Sequence, residues 1–166
     1  PQFYEGNLTG FCLIDGKDIS TFSIGEVGKL AASVFQDPRS QFFTTDSSSE
    51  VAFGLENHGL NSEEIIERVN YVYRESGLDK LKDRNVFELS SGERQLVAIL
   101  SAWALNVPLL LLDEPTANLD YAAIEYLKEL LKRLKSLGYT LIINEHRLYY
   151  LRDIADEYLL IEQGKL

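Results

Sequence analysis

Apolar and polar residues follow two different periods along this chain, and the changes of period mark out its elements. Phe11 to Ile14, followed by Asp15-Gly16, reads as a strand entering a tight turn, and Lys29 to Phe35 reads as a second strand. From Asp46 onward the spacing becomes helical. Asn61 with Glu64 makes a capping pair at a helix start, and Ile65, Ile66, Val69, Val72 and Tyr73 share one face beyond it. Leu96, Ile99, Leu100 and Trp103 form another apolar stripe. A third stripe runs through Ile124, Leu127, Leu130, Leu131, Leu134 and Leu137, with Gly138 placed to end that helix. Strands are expected at Leu109 to Asp113, Tyr139 to Asn144 and Glu157 to Ile161. This β-α-β-α-β order predicts an α/β fold with a mainly parallel sheet and right-handed crossovers.

Charge and composition narrow what such a fold can do. The 166 residues are 45% hydrophobic and 11% aromatic, which is the composition of one globular domain. Sixteen basic against twenty-six acidic side chains give a net charge of -10, which argues against a nucleic-acid surface. The single Cys12 can form no internal disulfide. The longest apolar run, Val107 to Leu112 interrupted by Pro108, is far shorter than a membrane span, so a membrane connection would run through a partner.

Two segments carry the chemistry. In Leu89-Ser90-Ser91-Gly92-Glu93-Arg94-Gln95 a Ser-Ser-Gly turn opens a helix, offering hydroxyls and backbone N–H groups to an anion with the positive end of the helix dipole behind them. The apolar run Leu109-Leu110-Leu111-Leu112 delivers Asp113 and Glu114 to the C-terminal edge of a parallel sheet, where ligands of open α/β folds bind. A carboxylate at a strand end can hold Mg²⁺, and its neighbour can orient and deprotonate an attacking water.

The order of these segments resembles that of ABC-type ATPases. Leu89 to Gln95 is similar to their signature motif and Leu109 to Glu114 to their Walker B strand with the catalytic glutamate. Gln36 in Val34-Phe35-Gln36-Asp37-Pro38 resembles the Q-loop, Ala117-Asn118-Leu119-Asp120 the D-loop, and His146 the switch histidine. Gln36-Asp37-Pro38-Arg39-Ser40-Gln41-Phe42-Phe43 and Glu50-Val51-Ala52-Phe53-Gly54-Leu55-Glu56-Asn57 narrow the resemblance toward the energy-coupling-factor transporter ATPases.

The resemblance implies a partial P-loop NTPase fold of the ABC ATPase type, a mainly parallel sheet with a helical subdomain. Residues 1–166 would form one partial domain: 1–40 leading to the Q-loop, 41–100 the helical subdomain with the signature, and 101–166 the core. It also implies ATP and Mg²⁺ as cofactors. Asp113 and Gln36 would hold the metal, and Glu114, His146 and Gln36 would act in catalysis. Ser90, Ser91, Gly92 and Glu93 would contact ATP held by a second ABC ATPase subunit, identical or different, and Asp120 would help position that subunit. An integral membrane transporter subunit would be the other partner, placing the protein on the cytoplasmic face of the membrane. Arg39 to Phe43 would form the docking surface, with Phe42 and Phe43 either apolar anchors or buried core.

Three departures matter. Ser91 and Glu93 stand where Gly and Gln are commoner, and Glu93 brings a carboxylate beside a triphosphate, a repulsion that Arg94 or solvent would have to screen. Glu145 precedes His146 where a small residue is usual, and His58 reads as an ordinary loop histidine. Finally, no G-x-x-x-x-G-K-[ST] segment occurs, because Gly28-Lys29 and Gly16-Lys17 lack the required glycine and hydroxyl partners. The expectation is a piece of a longer chain with sequence missing at both ends. The alternative is a non-hydrolysing partner domain that donates its signature in trans. A chromosome-maintenance ATPase is a poorer match, because the roughly fifty residues between Gln36 and Ser90 are too few for a coiled-coil arm.

Overall fold

The computed structural model describes residues 9–165. A two-residue hairpin opens it, β1 (Leu13–Ile14) paired antiparallel with β2 (Lys17–Asp18). Between them Asp15 and Gly16 both take positive φ, 52° and 74°, the twist a two-residue hairpin turn needs. Only the end of the expected Phe11–Ile14 strand forms, and Phe11 is exposed. The short helix α1 (Ile24–Gly28) was not expected; it is nucleated by Ser23 and Glu26, which cap each other's backbone N–H.

β3 (Ala31–Val34) is the central part of the expected 29–35 strand. It is followed by α2 (Ser47–Asn57), α3 (Ser62–Ser76) and α4 (Ser91–Ala104). Asp46 caps α2 through the Ser49 N–H, and Asn61 with Glu64 forms the capping box of α3. Val69, Val72 and Tyr73 of α3 are buried as their spacing predicts, but Ile66 is exposed, because α3 presents only a narrow stripe to its neighbours. Trp103 is fully buried at the end of α4, with the Tyr71 ring edge-on at 6.0 Å. Arg68 of α3 closes that end of α4: it donates to the carbonyls of Trp103 and Ala104 and lies 5.0 Å from the Tyr71 ring centroid.

β4 (Leu109–Asp113), α5 (Tyr121–Ser136) and β5 (Thr140–Asn144) complete the chain order β-α-β. The sheet order is β3-β4-β5 and both pairings are parallel, with Val34 opposite Leu112 and Leu112 opposite Ile143. Ile124, Leu127, Leu130, Leu131 and Leu134 of α5 are buried, each of the fully buried leucines contributing about 1.5–3 kcal/mol. Leu137 lies past the last turn and is exposed, and Gly138 (φ 91°) takes the left-handed conformation that ends the helix.

The expected strand at Glu157 to Ile161 does not form. A strand needs a ladder partner, and among the described residues none lies beside it; Tyr158, Leu159, Leu160 and Ile161 are all exposed. One face of the three-stranded sheet carries Ala32, Val34, Leu110 and Leu112 into the core, while Ser33, Phe35 and Ile142 of the other face stand open. Among the described residues no helix is long and apolar enough to cross a membrane.

Candidate functional site

Parallel pairing brings the ends of β3, β4 and β5 to one edge, and the side chains that follow them meet there. Gln36, just past β3, donates from Nε2 to Glu114 Oε2 at 2.8 Å. His146, just past β5, places Nε2 3.2 Å from Glu114 Oε1. Glu114 takes a left-handed backbone, φ 43°, unusual for a residue with a side chain, and its N–H donates to Asn144 O at 2.8 Å. The two adjacent carboxylates engage different partners. Asp113 is exposed, and its Oδ1 accepts from Asn144 Nδ2 at 2.8 Å.

The donor set fits a hard divalent cation held mainly through phosphate and water. Among the described residues no three His, Cys, Asp or Glu side chains gather into a cage. Magnesium needs none, because one or two carboxylates and substrate oxygens suffice. Asp113 offers the carboxylate and Gln36 the amide oxygen.

Ser90, Ser91, Gly92 and Glu93 stand at a second place, the start of α4. Ser90 caps the helix: its Oγ accepts from Glu93 N at 3.2 Å and its own N–H donates to Glu93 Oε2 at 2.8 Å. The N–H groups of Ser91 and Gly92 have no intrahelical acceptor and face outward with the dipole. Gly92 lies close to Leu119, where an added Cβ would stand 3.2 Å from Cδ2 and press that side chain aside by a few tenths of an ångström. These residues line a hollow of about 470 Å³ whose opposite wall includes Asn118 and Asp120. Asp120 caps α5, accepting from Ala123 N at 2.8 Å. Asn118 joins the two places, because its Nδ2 also donates to Gln36 O at 3.3 Å.

The screening of Glu93 differs from the expectation. Arg94 turns away and donates to the Leu89 carbonyl, whereas Arg84 Nη1 lies 3.9 Å from Glu93 Oε1. The Ser90 N–H, with Arg84 and Lys80 adding their charge, holds the Glu93 carboxyl below its ordinary range. One of its oxygens is thus engaged by its own helix cap while the other faces Arg84.

Glu145 carries more interactions than its sequence position announced. Its Oε2 accepts from Thr116 Oγ1 at 2.5 Å, Thr116 N at 3.3 Å and Tyr150 Oη at 3.2 Å. Its Oε1 accepts from the backbone N–H of His146 at 2.8 Å and of Arg147 at 3.0 Å. Burial alone would raise this carboxyl, but the donors from Thr116, Arg147, His146 and Tyr150 outweigh it and hold the group below the ordinary glutamate range. Thr116 had no sequence signal beyond its nearness to the acidic pair, while Asn118 and Asn144 stood in the D-loop segment and at the end of an expected strand without any sign of their bonds to Gln36 and Asp113.

At the expected docking segment, Phe42 and Phe43 part ways. Phe42 packs against the core, while Phe43 is 73% exposed and stacks on Phe53 at 4.9 Å between centroids. Buried Glu50 fixes this loop: its Oε2 accepts from Phe43 N at 3.0 Å, Thr44 N at 2.9 Å and Thr44 Oγ1 at 3.0 Å. Gln41 pins the chain before it, accepting from Phe35 N and donating to Ser33 O along the edge of β3.

Known proteins resemble this chain along most of its length. An ABC transporter ATP-binding protein of Treponema denticola is 46% identical over 166 residues, covering 100% of this chain and 34% of that protein. One from Pyrococcus horikoshii is 38% identical over 157 residues, 95% of this chain and 60% of that protein. This chain thus spans between about a third and three fifths of the length of these two relatives. Among solved structures, cbiO1 from Clostridium perfringens, described as part of the ABC transporter complex cbiONQ, superposes with a TM-score of 0.73 at 35% identity. The match covers 82% of this chain and 55% of that one. The ABC transporter family matches residues 4–117, from before the hairpin to just past the acidic pair that ends β4, and the chain belongs to it.

Proposed function

We propose that the protein containing these residues hydrolyses ATP at an interface between two ATPase domains and passes the resulting motion to membrane subunits of an importer of the energy-coupling-factor type. The observation that carries this reading is the convergence of Gln36, Glu114 and His146 at the C-terminal edge of the sheet, with both Glu114 oxygens in contact. Glu114 is the general base: its carboxylate orients water and takes the proton. Gln36 and His146 hold that carboxylate in place until substrate arrives, and the His146 imidazole then reaches the terminal phosphate. Asp113, steadied by Asn144, and Gln36 are the metal-side ligands. Held there with the nucleotide, magnesium would supply positive charge against the negative charge that develops in phosphoryl transfer.

Ser90, Ser91 and Gly92 present a hydroxyl and free N–H groups to the phosphate of ATP bound by the facing domain. The hollow they share with Asn118 and Asp120 links that contact to Gln36 through one hydrogen bond. The Arg39 to Phe43 segment, with exposed Phe43 stacked on Phe53, is the surface offered to the membrane subunit. The cbiO1 likeness supports an importer and a membrane-bound assembly on the cytoplasmic face.

The test uses the full-length protein in its assembly. Glu114→Gln keeps shape and metal binding but removes the base, so kcat is expected to fall about 10²- to 10⁴-fold with Mg-ATP still bound. A variant turning over at the wild-type rate would refute the assignment.

A further inference from the structure

We propose that Glu145 is a positioning residue for the reaction, a single carboxylate that ties Thr116 to the switch loop and so sets where His146 stands against Glu114. The inference rests on the roles given above to His146 and Glu114.

The geometry is that of a clamp. Thr116 is fully buried and belongs to the segment between Glu114 and the D-loop, while His146 and Arg147 belong to the loop after β5. Glu145 Oε2 holds the first through two donors, and Oε1 holds the second through two backbone N–H groups. Tyr150, itself buried, donates a fifth bond from the 3-10 turn Leu148–Leu151. Arg147 Nη1 adds a parallel tie to the Thr116 carbonyl at 3.4 Å. The His146 backbone N–H is thus held directly by the carboxylate, while its imidazole is 81% exposed and has Glu114 as its contact. Without the clamp nothing in that contact alone would keep an exposed ring in place.

The same geometry dictates which replacements fail. Each oxygen faces at least one backbone N–H, which can only donate: Thr116 N on Oε2, His146 N and Arg147 N on Oε1. In Glu145→Gln the amide NH₂ meets a donor whichever way it lies. The side chain keeps its size and loses its grip on one loop or the other.

The full-length protein in its assembly is assayed for ATP hydrolysis as wild type, His146→Ala, Glu145→Gln and the double variant. Glu145→Gln should lower kcat about 10- to 100-fold, the scale of a misplaced catalytic group, with the KM for ATP changed by no more than about twofold. The double variant should be no slower than His146→Ala alone, because both act through one ring. Multiplying losses, or a Glu145→Gln kcat within about twofold of wild type, would overturn the proposal. Should Glu145→Gln fail to fold, Thr116→Val and Thr116→Ser decide: Val should lose kcat non-additively with His146→Ala, and Ser, which keeps the hydroxyl, should restore it. Equal kcat in Val and Ser would overturn the proposal. A His146→Ala protein with wild-type kcat would sink the reading of the site and this inference together. An impaired His146→Ala beside an unaffected Glu145→Gln would sink this inference alone.

Discussion

Replacing Glu50 separates two readings of the loop that carries Phe43. All three of its hydrogen bonds fall on Oε2, at 2.9 to 3.0 Å, and two of the donors are backbone N–H groups. Glu50→Gln can set its amide oxygen at that position and keep all three donors satisfied. Glu50→Leu cannot, and it leaves the Phe43 and Thr44 N–H groups without an acceptor in a half-buried loop. An orphaned donor costs about 1–3 kcal/mol when buried. Taking the lower end for each N–H, since water reaches the loop in part, gives about 2 kcal/mol of local stability. Amide hydrogen exchange on the full-length protein reads this directly. Exchange at Phe43 and Thr44 should quicken by about thirtyfold in Glu50→Leu and by less than about threefold in Glu50→Gln. If the docking reading holds, the Leu variant should also bind its membrane partner more weakly. Equal exchange in the two variants, or no change in Leu, would refute the argument.

Further outcomes follow from the same geometry. Gly54→Ala should destabilise α2 by no more than about 2 kcal/mol, since the new Cβ would sit 2.7 Å from Cδ2 of the partly buried Leu105, an overpacking cost of about 1–3 kcal/mol, less the roughly 1 kcal/mol that Ala gains over Gly inside a helix; a raised Tm would show that Leu105 simply moves aside. Ser90→Ala should cost about 1 kcal/mol as a lost helix cap and also slow turnover; a loss confined to Tm would remove Ser90 from the phosphate contact. The Glu93 carboxyl is depressed in the fold, so its contribution is complete above its unfolded value of 4.5 and is lost as pH falls through the lower folded value. Acid unfolding of wild type and Glu93→Gln should therefore differ above about pH 5 and converge below the folded value; parallel curves throughout would contradict the cap geometry. Arg68→Met should leave the carbonyls of Trp103 and Ala104 without their charged donor and lower stability by about 2 kcal/mol, measured by denaturant unfolding.

The parallel sheet and the long helices were legible because their residues report only on themselves and one buried side. The α5 leucines at helical spacing and the unbroken Leu109–Leu112 run needed no distant partner to be recognised. Glu157 to Ile161 has the same apolar pattern, yet a strand is a property of two segments, and the second is not among the described residues. Ile66 misled for a related cause: periodicity gives the direction of a face but not its width, which depends on how closely α2 and α4 approach. At the site, Gln36, Glu114 and His146 could be ordered along the chain, and the fold brings them within hydrogen-bonding distance. The bonds of Asn144, Asn118 and Thr116 could not be foreseen, even though Asn118 lies in the D-loop segment, since each matters through a bond to a residue at least 29 positions away. Arg84 replaced Arg94 as the neighbour of Glu93 because the sign of a charge is visible in sequence while its direction is set by the adjoining loop.

If Glu114 is the base proposed above, its left-handed backbone puts durability and turnover at odds in one residue. An L side chain there forfeits about 1 kcal/mol that Asn, at home in that region, largely recovers. A screen for heat tolerance alone would drift toward Asn at this position and discard the carboxylate, whereas one that also demands work from the enzyme would retain the costlier glutamate.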